Sequence, residues 1–278
     1  MEQGNRLVET SVTTIVPAAT TARLSARGLR LAYDGHVVVD DLSIDIPDGG
    51  FTIIVGPNAC GKSTLLKALS RTLKPVAGAV LLGGRPIESY RSKAVARQVA
   101  LLPQSPIAPE AITVRDLVGR GRFPHQSLWQ QWSAEDERAV TAALAATNST
   151  ELANRHVAEL SGGQRQRVWM AMVLAQQTEL LLLDEPTTFL DIAHQYDVLE
   201  LCSRLHAEGR TLVAVLHDLN QAARYATNLV VMKDGRVVAS GDPGSILTAE
   251  LVEQVFGLPC VVIPDPVTGT PMLVARMG

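Results

Sequence analysis

The chain has 278 residues, of which 46% are hydrophobic and 19% are charged, so it is long enough to bury one large core or two smaller ones. Its 25 basic and 28 acidic residues leave a formal net charge of −3, which gives no electrostatic reason to expect nucleic acid or an anionic membrane as the main ligand. No apolar run reaches the roughly 18 to 20 residues that a membrane-spanning helix needs. Cys60, Cys202 and Cys260 are widely spaced, which favours a reducing cytosol over a disulfide framework or a zinc site.

Residues 1–23 are predicted to be a flexible extension. Glu2 and Glu9 lie where a secretory signal needs an apolar segment free of acids, so we expect no export signal. The extension is rich in Thr and Ala, contains Pro17 and has little periodicity. One folded domain is therefore expected over residues 24–278.

The next segments predict short strands, followed by a strand, a glycine-rich loop and a helix. The apolar run FTIIVG leads directly into GPNACGKSTLLKALSRTL. Leu65, Leu66, Leu69 and Leu73 recur at spacings that indicate one buried face of this helix. Pro75 is expected to end it, because proline interrupts the hydrogen bonding of a helix.

Residues 91 to about 165 are predicted to form a helical insertion, because Ala-rich helical patterns replace the β-branched runs. Ser133 and Asp136 can cap a helix that continues through Thr147, with Val140 and Ala143 on its apolar side. After Ser161, apolar strands alternate with helices near 162–177 and 191–208. This alternation predicts an α/β fold with a mostly parallel sheet that is covered on both faces.

The segment GPNACGKS fits the pattern G-x-x-x-x-G-K-[ST] of a phosphate-binding loop, between a strand and a helix as that motif requires. Glycines let successive amides point inward, Lys62 can reach the outer phosphates, and Ser63 offers a hydroxyl to Mg²⁺. The alternative is a chance glycine-rich turn. Cys60 within the loop is either a redox thiol or a small residue that is tolerated there.

The run ELLLLDEP is predicted to be a buried strand with two carboxylates at its carboxyl end, where open α/β sheets bind ligands. Asp184 is expected to hold Mg²⁺, directly or through water, and Glu185 to polarise the attacking water as a general base. Acids that end a strand only by facing solvent are the structural alternative.

The pentapeptide LSGGQ precedes another helical run. Ser161 can cap that helix, while Gly162 and Gly163 let a phosphate approach bare amides. A second anion site and a plain helix cap both fit these residues when they are taken alone.

These motifs, in this order, resemble the ABC ATPase family, and the resemblance covers nearly all of the chain from about Leu24 onward. It implies a P-loop NTPase fold with an N-terminal antiparallel β region and a helical subdomain. Tyr33 falls where the family stacks an aromatic ring on adenine, and Gln104 falls in the loop that links the core to the helical subdomain. Asp191 matches the loop after the acidic strand, and His217 matches the histidine that contacts the γ-phosphate. If the resemblance is set aside, other interpretations fit these residues. Tyr33 then fits an ordinary aromatic residue of a strand, Gln104 a polar surface residue, and His217 a hydrogen-bonded histidine at a strand end.

The resemblance implies ATP and Mg²⁺ as cofactors. It implies Glu185, His217 and Gln104 as catalytic residues, and Ser63, Gln104 and Asp184 as metal ligands. The implied nucleotide contacts are Tyr33, Gly56, Pro57, Asn58, Ala59, Cys60, Gly61, Lys62, Ser63, Thr64, Ser161, Gly162, Gly163, Gln164 and Asp191. Ala59 departs from the family, in which many members carry glycine, and we expect a right-handed φ there because a positive φ would strain an alanine.

The resemblance also implies that two copies of the chain sandwich two ATP molecules, each between one chain's phosphate loop and the other chain's LSGGQ. Within the family, the stretches VGRGRFPHQ, DEPTTFLDIAHQ, AVLHDLNQAARYA and DPVTGTP resemble ATP-binding subunits of bacterial importers for ferric siderophores and vitamin B12. The expected function is ATP hydrolysis that energises iron(III)-siderophore import through a separate membrane permease, at the cytoplasmic face of the membrane and indirectly with a substrate-binding protein. No nucleic acid is expected as a partner.

Several alternatives stay open at this stage. A transporter of the same kind that imports cobalamin or haem is the nearest alternative, because the cargo does not touch this chain. A non-transport ABC ATPase of DNA repair would need a long coiled coil between Lys62 and Ser161, and no heptad array is present there. Arg120, Arg122 and His125 lie where the family's helical subdomain receives the permease, but a solvated basic loop is an equally good interpretation.

Overall fold

The computed structural model describes residues 22–127 and 132–276. The predicted extension lies outside the described residues, except for Ala22 and Arg23, which begin the first strand. The strands are β1 Ala22–Tyr33, β2 His36–Pro47, β3 Phe51–Val55, β4 Ala77–Leu82, β5 Arg85–Pro86, β6 Val99–Leu102, β7 Leu180–Asp184, β8 Thr211–Val215, β9 Asn228–Lys233, β10 Arg236–Gly241, β11 Cys260–Pro264 and β12 Pro271–Ala275. The α-helices are α1 Lys62–Leu69, α2 Ser92–Ala96, α3 Val114–Gly119, α4 Ala134–Ala146, α5 Gly162–Ala175, α6 Ile192–Ala207, α7 Leu219–Tyr225, α8 Pro243–Ile246 and α9 Ala249–Phe256.

The central sheet has six strands in the order β10-β9-β3-β8-β7-β6. Neighbours from β9 to β6 pair in parallel, and β10 adds an antiparallel edge. A second sheet, β2-β1-β4-β5, is antiparallel throughout, and β11 and β12 form a separate hairpin. The predicted α/β fold with an N-terminal antiparallel region is confirmed.

The strands β3, β7 and β8 are buried over their whole length because both faces of the central sheet are covered. Alternate residues supply two separate cores. Leu181 and Leu183 lie in the core that includes helices α3 to α6, whereas Leu180 and Leu182 lie in the core that includes α1 and the antiparallel sheet. This sandwich fixes the carboxyl ends of the three strands side by side.

The predicted helical insertion is partly wrong at its start. Residues 91–165 contain β6, which pairs in parallel with β7 and is a strand of the central sheet. A four-residue strand of VALL lacks enough alternation to be separated from a helix by pattern alone. The helices α3, α4 and α5 follow it, and α4 begins with the capping box predicted at Ser133 and Asp136.

Two local expectations need correction. The helix α1 ends at Leu69, six residues before Pro75, and Leu73 lies outside it, partly buried. Arg122 is neither part of a solvated loop nor available for docking, because its side chain is 1% exposed and its Nε donates to Asp136 at 2.7 Å. Its Nη1 also donates to the carbonyl of Ala175 at the end of α5.

Across the described residues, no helix is both long enough and apolar enough to cross a bilayer.

Candidate active site

The loop between β3 and α1 is held in a tight turn against the neighbouring strand. A Cβ atom added at Gly56 would lie 2.2 Å from the carbonyl oxygen of Met232, so only glycine fits at this contact. Gly61 has a φ of 102° and caps α1, which a residue with a side chain rarely does. These two glycines direct the loop toward the start of α1, as the motif requires.

The expectation for Ala59 is wrong. Its φ is 61°, in the left-handed region, rather than right-handed. The alanine therefore carries the strain that a glycine would avoid at this position. The close fit of the loop sets this conformation, since residues on both sides are held by contacts with β9 and with the segment after it.

Lys62 is folded back into its own loop. Its Nζ donates to the carbonyl oxygens of Gly56 at 2.9 Å and Pro57 at 2.8 Å, and the residue is only 5% exposed. Two of the three N–H donors of the ammonium group are thus used by the backbone. The third donor is available for an anion in the loop.

Ser63 and Asp184 bring the loop and the acidic strand together. The Ser63 hydroxyl donates to Oδ1 of Asp184 at 2.7 Å. Burial raises the pKa of Asp184, while the hydrogen bond from Ser63 opposes that effect. A hydroxyl and a carboxylate are hard oxygen donors of the kind that Mg²⁺ prefers, so the residues present fit this ion.

Glu185 receives donors from three segments of the chain. Its Oε1 lies 2.8 Å from Nε2 of His217, and its Oε2 accepts from Nε2 of Gln104 at 2.7 Å. The Thr188 hydroxyl donates to the same Oε2 at 3.0 Å. The sequence-predicted residues Gln104, Glu185 and His217 therefore meet, although they come from three separate loops. Thr188 was missed, and its position three residues after Glu185 is the only sequence signal for it.

A cavity of about 300 Å³ joins the loop to this cluster. It is lined by Val38, Asn58, Ala59, Gly61, Lys62, Ser63, Thr64, Glu185 and His217. Val38 was not predicted from the sequence. Tyr33, at the end of β1, is 40% exposed and does not line this cavity.

A larger cleft of about 570 Å³ lies near Arg23, Glu179 and Thr211, at the amino ends of the central strands. Ion pairs from Arg23 to Asp48 and to Glu179 cross it. None of the predicted catalytic, nucleotide-binding or metal-binding residues lines this cleft. The chemistry of the motifs, rather than cleft size, identifies the site beside the phosphate loop.

The LSGGQ segment starts α5 on an exposed surface. Ser161 accepts from the amide of Gln164, whose side chain accepts from the amide of Ser161, which completes a capping box. The imidazole of His194 packs against Gly163, where an added Cβ would lie 3.3 Å from the ring. None of the four residues Ser161, Gly162, Gly163 and Gln164 lines the cavity described above.

Asp191 caps α6 and does not reach the cavity of its own chain. Its Oδ1 accepts from the amide of His194 at 2.9 Å and lies 2.7 Å from Nδ1 of the same residue. These hydrogen bonds lower the pKa of Asp191. Six of the predicted nucleotide contacts line one cavity, namely Asn58, Ala59, Gly61, Lys62, Ser63 and Thr64. The other predicted contacts do not line it, namely Gly56, Pro57 and Cys60 of the loop, Tyr33, the LSGGQ residues and Asp191.

Comparison with known proteins shows which family has this arrangement. The model of the ABC transporter family matches residues 39–188. The ferric enterobactin transport ATP-binding protein of Escherichia coli strain K12 is 56% identical over 256 residues, which cover 92% of this chain and 94% of that protein. The chain belongs to the ABC transporter family. It is an ATP-binding subunit, and such subunits are ATPases.

Other relatives and a solved structure agree with this assignment. The iron(3+)-hydroxamate import ATP-binding protein of Bacillus subtilis strain 168 is 48% identical over 250 residues, which cover 90% of this chain and 93% of that protein. Import ATP-binding proteins named for hemin, from Thermobifida fusca, and for cobalamin, from Halobacterium salinarum, are 40% and 42% identical. A metal-chelate type ABC transporter in an inward-facing conformation superposes with a TM-score of 0.78 at 29% identity, covering 92% of this chain and 97% of that chain.

Proposed function

We propose that this ABC subunit hydrolyses Mg-ATP to energise the import of an iron(III)-siderophore through a separate membrane permease, on whose cytoplasmic side it docks. The observation that carries the ATPase chemistry is the convergence of Gln104 and His217 on the carboxylate of Glu185, beside the cavity of the phosphate loop. A phosphate loop alone binds nucleotide. Hydrolysis also needs a general base, and the carboxylate of Glu185, which is held beside the phosphate loop, supplies it.

The residues of this chain divide the work of hydrolysis between binding and proton transfer. Lys62 and the amides at the start of α1 bind the outer phosphates. Ser63, Asp184 and Gln104 would hold Mg²⁺, which supplies positive charge against the charge that develops on the phosphates. Glu185 accepts a proton from the attacking water. His217, whose Nε2 lies 2.8 Å from Oε1 of Glu185, contacts the γ-phosphate once ATP is bound.

The partner for the LSGGQ surface is a second copy of this chain. Ser161 is exposed, the residues at the start of α5 do not line the cavity of their own chain, and Phe189 beside them is 88% exposed. A helix start that caps itself can still present N–H groups to a phosphate. Each copy would complete the other's site, and ATP would favour the closed pair.

The cargo assignment rests on the relatives. The ferric enterobactin and iron(3+)-hydroxamate proteins are 56% and 48% identical to the chain, compared with 40% and 42% for the hemin and cobalamin proteins. Haem or cobalamin is the alternative cargo. A binding protein that delivers the chelate to the permease completes the proposed system.

The permease contact is assigned to the exposed part of the segment after α3. Arg120 is exposed and Phe123 is 59% exposed, whereas the neighbouring Arg122 is buried in the subdomain. An exposed aromatic and an exposed cation next to each other suit a protein interface. Of the three residues that the sequence suggested for docking, Arg122 is therefore left out of the proposed contact.

The test of the catalytic proposal is Glu185→Gln. Loss of a general base lowers the hydrolysis rate by roughly 10² to 10⁴ while leaving ATP binding in place, so we expect a dimer trapped with ATP. Glu208→Gln, an exposed carboxylate at the end of α6, is the matched control and keeps the wild-type rate. Hydrolysis by Glu185→Gln at the wild-type rate would show that Glu185 is not the base.

The cargo is tested by deleting the subunit in its native host and measuring uptake of labelled ferric siderophore and labelled cobalamin under iron limitation. The proposal expects loss of siderophore uptake with cobalamin uptake intact. The reverse pattern would overturn the cargo assignment and leave the ATPase assignment standing.

A further inference from the structure

The carboxylate of Glu185 has one donor to which the proposed mechanism gives no role. Gln104 and His217 are assigned to Mg²⁺ and to the γ-phosphate. Thr188 does not line the cavity, and its hydroxyl donates to Oε2 of Glu185 at 3.0 Å. We infer that Thr188 is a positioning residue that holds the carboxylate of Glu185 when Gln104 and His217 turn toward Mg-ATP. This inference rests on the proposed function.

The three donors differ in how they are attached to Glu185. Gln104 lies on the exposed loop after β6, and the His217 side chain is 46% exposed at the end of β8. Both belong to segments distant in sequence from Glu185 and can move independently of it. Thr188 is partly buried and only three residues away, and its amide donates to the carbonyl of Glu185 at 3.2 Å. Its hydroxyl therefore moves with the carboxylate that it contacts.

The turn that carries Thr188 is itself fixed from two helices. Nε2 of Gln166, on α5, donates to the carbonyl of Pro186 at 2.8 Å. Nε2 of Gln195, on α6, donates to the carbonyl of Leu190 at 3.1 Å. The segment between Pro186 and Leu190 is thus tied at both ends, and the place of the Thr188 hydroxyl is set by the packing of α5 and α6.

A second feature shows that the direction of Glu185 is imposed by its surroundings. Its φ is 53°, in the left-handed region that a glutamate rarely adopts. A non-glycine residue in this conformation persists only where neighbouring contacts hold it. The Thr188 amide and hydroxyl hold both the backbone carbonyl and the side chain of that residue.

Removal of the hydroxyl is expected to affect catalysis more than binding. A hydrogen bond to a charged group is among the stronger ones in proteins, and a base that is poorly oriented transfers protons more slowly. Thr188 does not line the nucleotide cavity, so ATP affinity has no direct reason to change. We expect Thr188→Val to lower kcat about tenfold with the KM for ATP within about twofold of wild type.

The experiment measures steady-state ATPase activity of the full chain carrying Thr188→Val, Thr188→Ala or Thr188→Ser. Valine and alanine both lack the hydroxyl but differ in side-chain size, whereas serine retains the hydroxyl. We therefore expect Thr188→Ser to keep the wild-type kcat and the other two variants to have a lower kcat. If valine packs poorly and the variant does not fold, the alanine and serine pair gives the same comparison. Equal kcat for all three variants would overturn the inference.

A double variant separates a positioning role from a structural one. If Thr188 acts through Glu185, then Glu185→Gln with Thr188→Val has the same single-turnover rate as Glu185→Gln alone. A further tenfold loss in the double variant would show that Thr188 acts elsewhere. Wild-type activity in Thr188→Val with an inactive Glu185→Gln overturns only this inference, whereas wild-type activity in Glu185→Gln overturns the proposed function itself.

Discussion

The hydroxyl of Ser63 donates a hydrogen bond of 2.7 Å to Oδ1 of Asp184, across 121 positions of the sequence. The helix that starts at Lys62 and the strand that ends at Asp184 meet at the carboxyl edge of the central sheet. Asp184 is buried, and that burial raises the pKa of its carboxyl group, so a cation held nearby would favour the ionised form. The fold thus brings together Ser63 and Asp184, two of the three residues that we propose as Mg²⁺ ligands.

Lys62→Ala is expected to weaken ATP binding by about 10- to 100-fold, because a charge-assisted contact to the phosphates is lost while the loop amides remain. The variant also removes two hydrogen bonds to loop carbonyls. Nucleotide affinity is measured by titration with Mg-ATP. Lys74→Ala, an exposed lysine after α1, is the matched control. Unchanged affinity in Lys62→Ala would contradict the assignment of the loop.

Ser161→Arg is expected to leave ATP binding by the single chain nearly intact and to abolish turnover. The bulky cation would block the approach of the other copy's phosphates, whereas the phosphate loop of its own chain is not touched. Ser133→Arg also replaces a serine that caps a helix and is expected to hydrolyse ATP normally. Equal loss of binding and turnover in Ser161→Arg would mean that LSGGQ acts within its own chain.

Arg122→Ala is expected to lower the free energy of unfolding by about 3 to 5 kcal/mol, because it leaves a buried carboxylate without its partner. Although burial opposes ionisation of Asp136, the hydrogen bonds from Arg122 and Ser133 hold its pKa below the ordinary value. Arg120→Ala changes an exposed arginine two residues away and is expected to stay within about 0.5 kcal/mol. Urea denaturation of both variants makes the comparison, and equal stability would show that the Arg122 pair contributes nothing.

Ala59→Gly is expected to stabilise the protein by up to about 1 kcal/mol without loss of ATPase activity. Glycine relieves the left-handed φ of 61°, and the gain is reduced by the greater freedom of glycine in the unfolded chain. Ala68→Gly, in the regular part of α1, is expected to destabilise by about 1 kcal/mol or more. Thermal melting measures both, and a loss of stability in Ala59→Gly would be the contrary result.

The attachment of the β11–β12 hairpin is expected to weaken in acid. The hydrogen bond from Arg224, at 2.5 Å, lowers the pKa of Asp265 from 3.8 to about 2. The native state therefore binds this proton less readily than the unfolded state, so the stabilisation is present above about pH 4 and is lost as the pH falls toward 2. Hydrogen exchange at the amide of Leu273 measures it. We expect Asp265→Asn to remove this dependence of exchange on pH and the control Asp34→Asn to keep it. An unchanged pH profile of exchange in Asp265→Asn would exclude the Arg224–Asp265 pair as the cause.

The sequence by itself determined the class of the fold and predicted which residues carry the chemistry of the site. The spacing of the glycines, Lys62 and Ser63 requires a strand before the loop and a helix after it, and an all-apolar strand ending in Asp184 and Glu185 requires a sheet that is buried on both faces. Both requirements depend on residues that are close together in the chain, so a short stretch of sequence is enough to predict them. The α4 capping box was predictable for the same reason.

Only the tertiary structure decided where distant residues meet and which local preferences are overruled. Val99–Leu102 joins the central sheet because β7 pairs with it, and Ala59 takes a left-handed φ because the loop is pressed against its neighbours. Arg122 is buried because Asp136 and the end of α5 converge on it. Gln104 and His217, two of the three partners of the Glu185 carboxylate, likewise come from segments that the packing of the sheet and helices brings together. Such contacts depend on three-dimensional neighbours, which the pattern of a single segment does not contain.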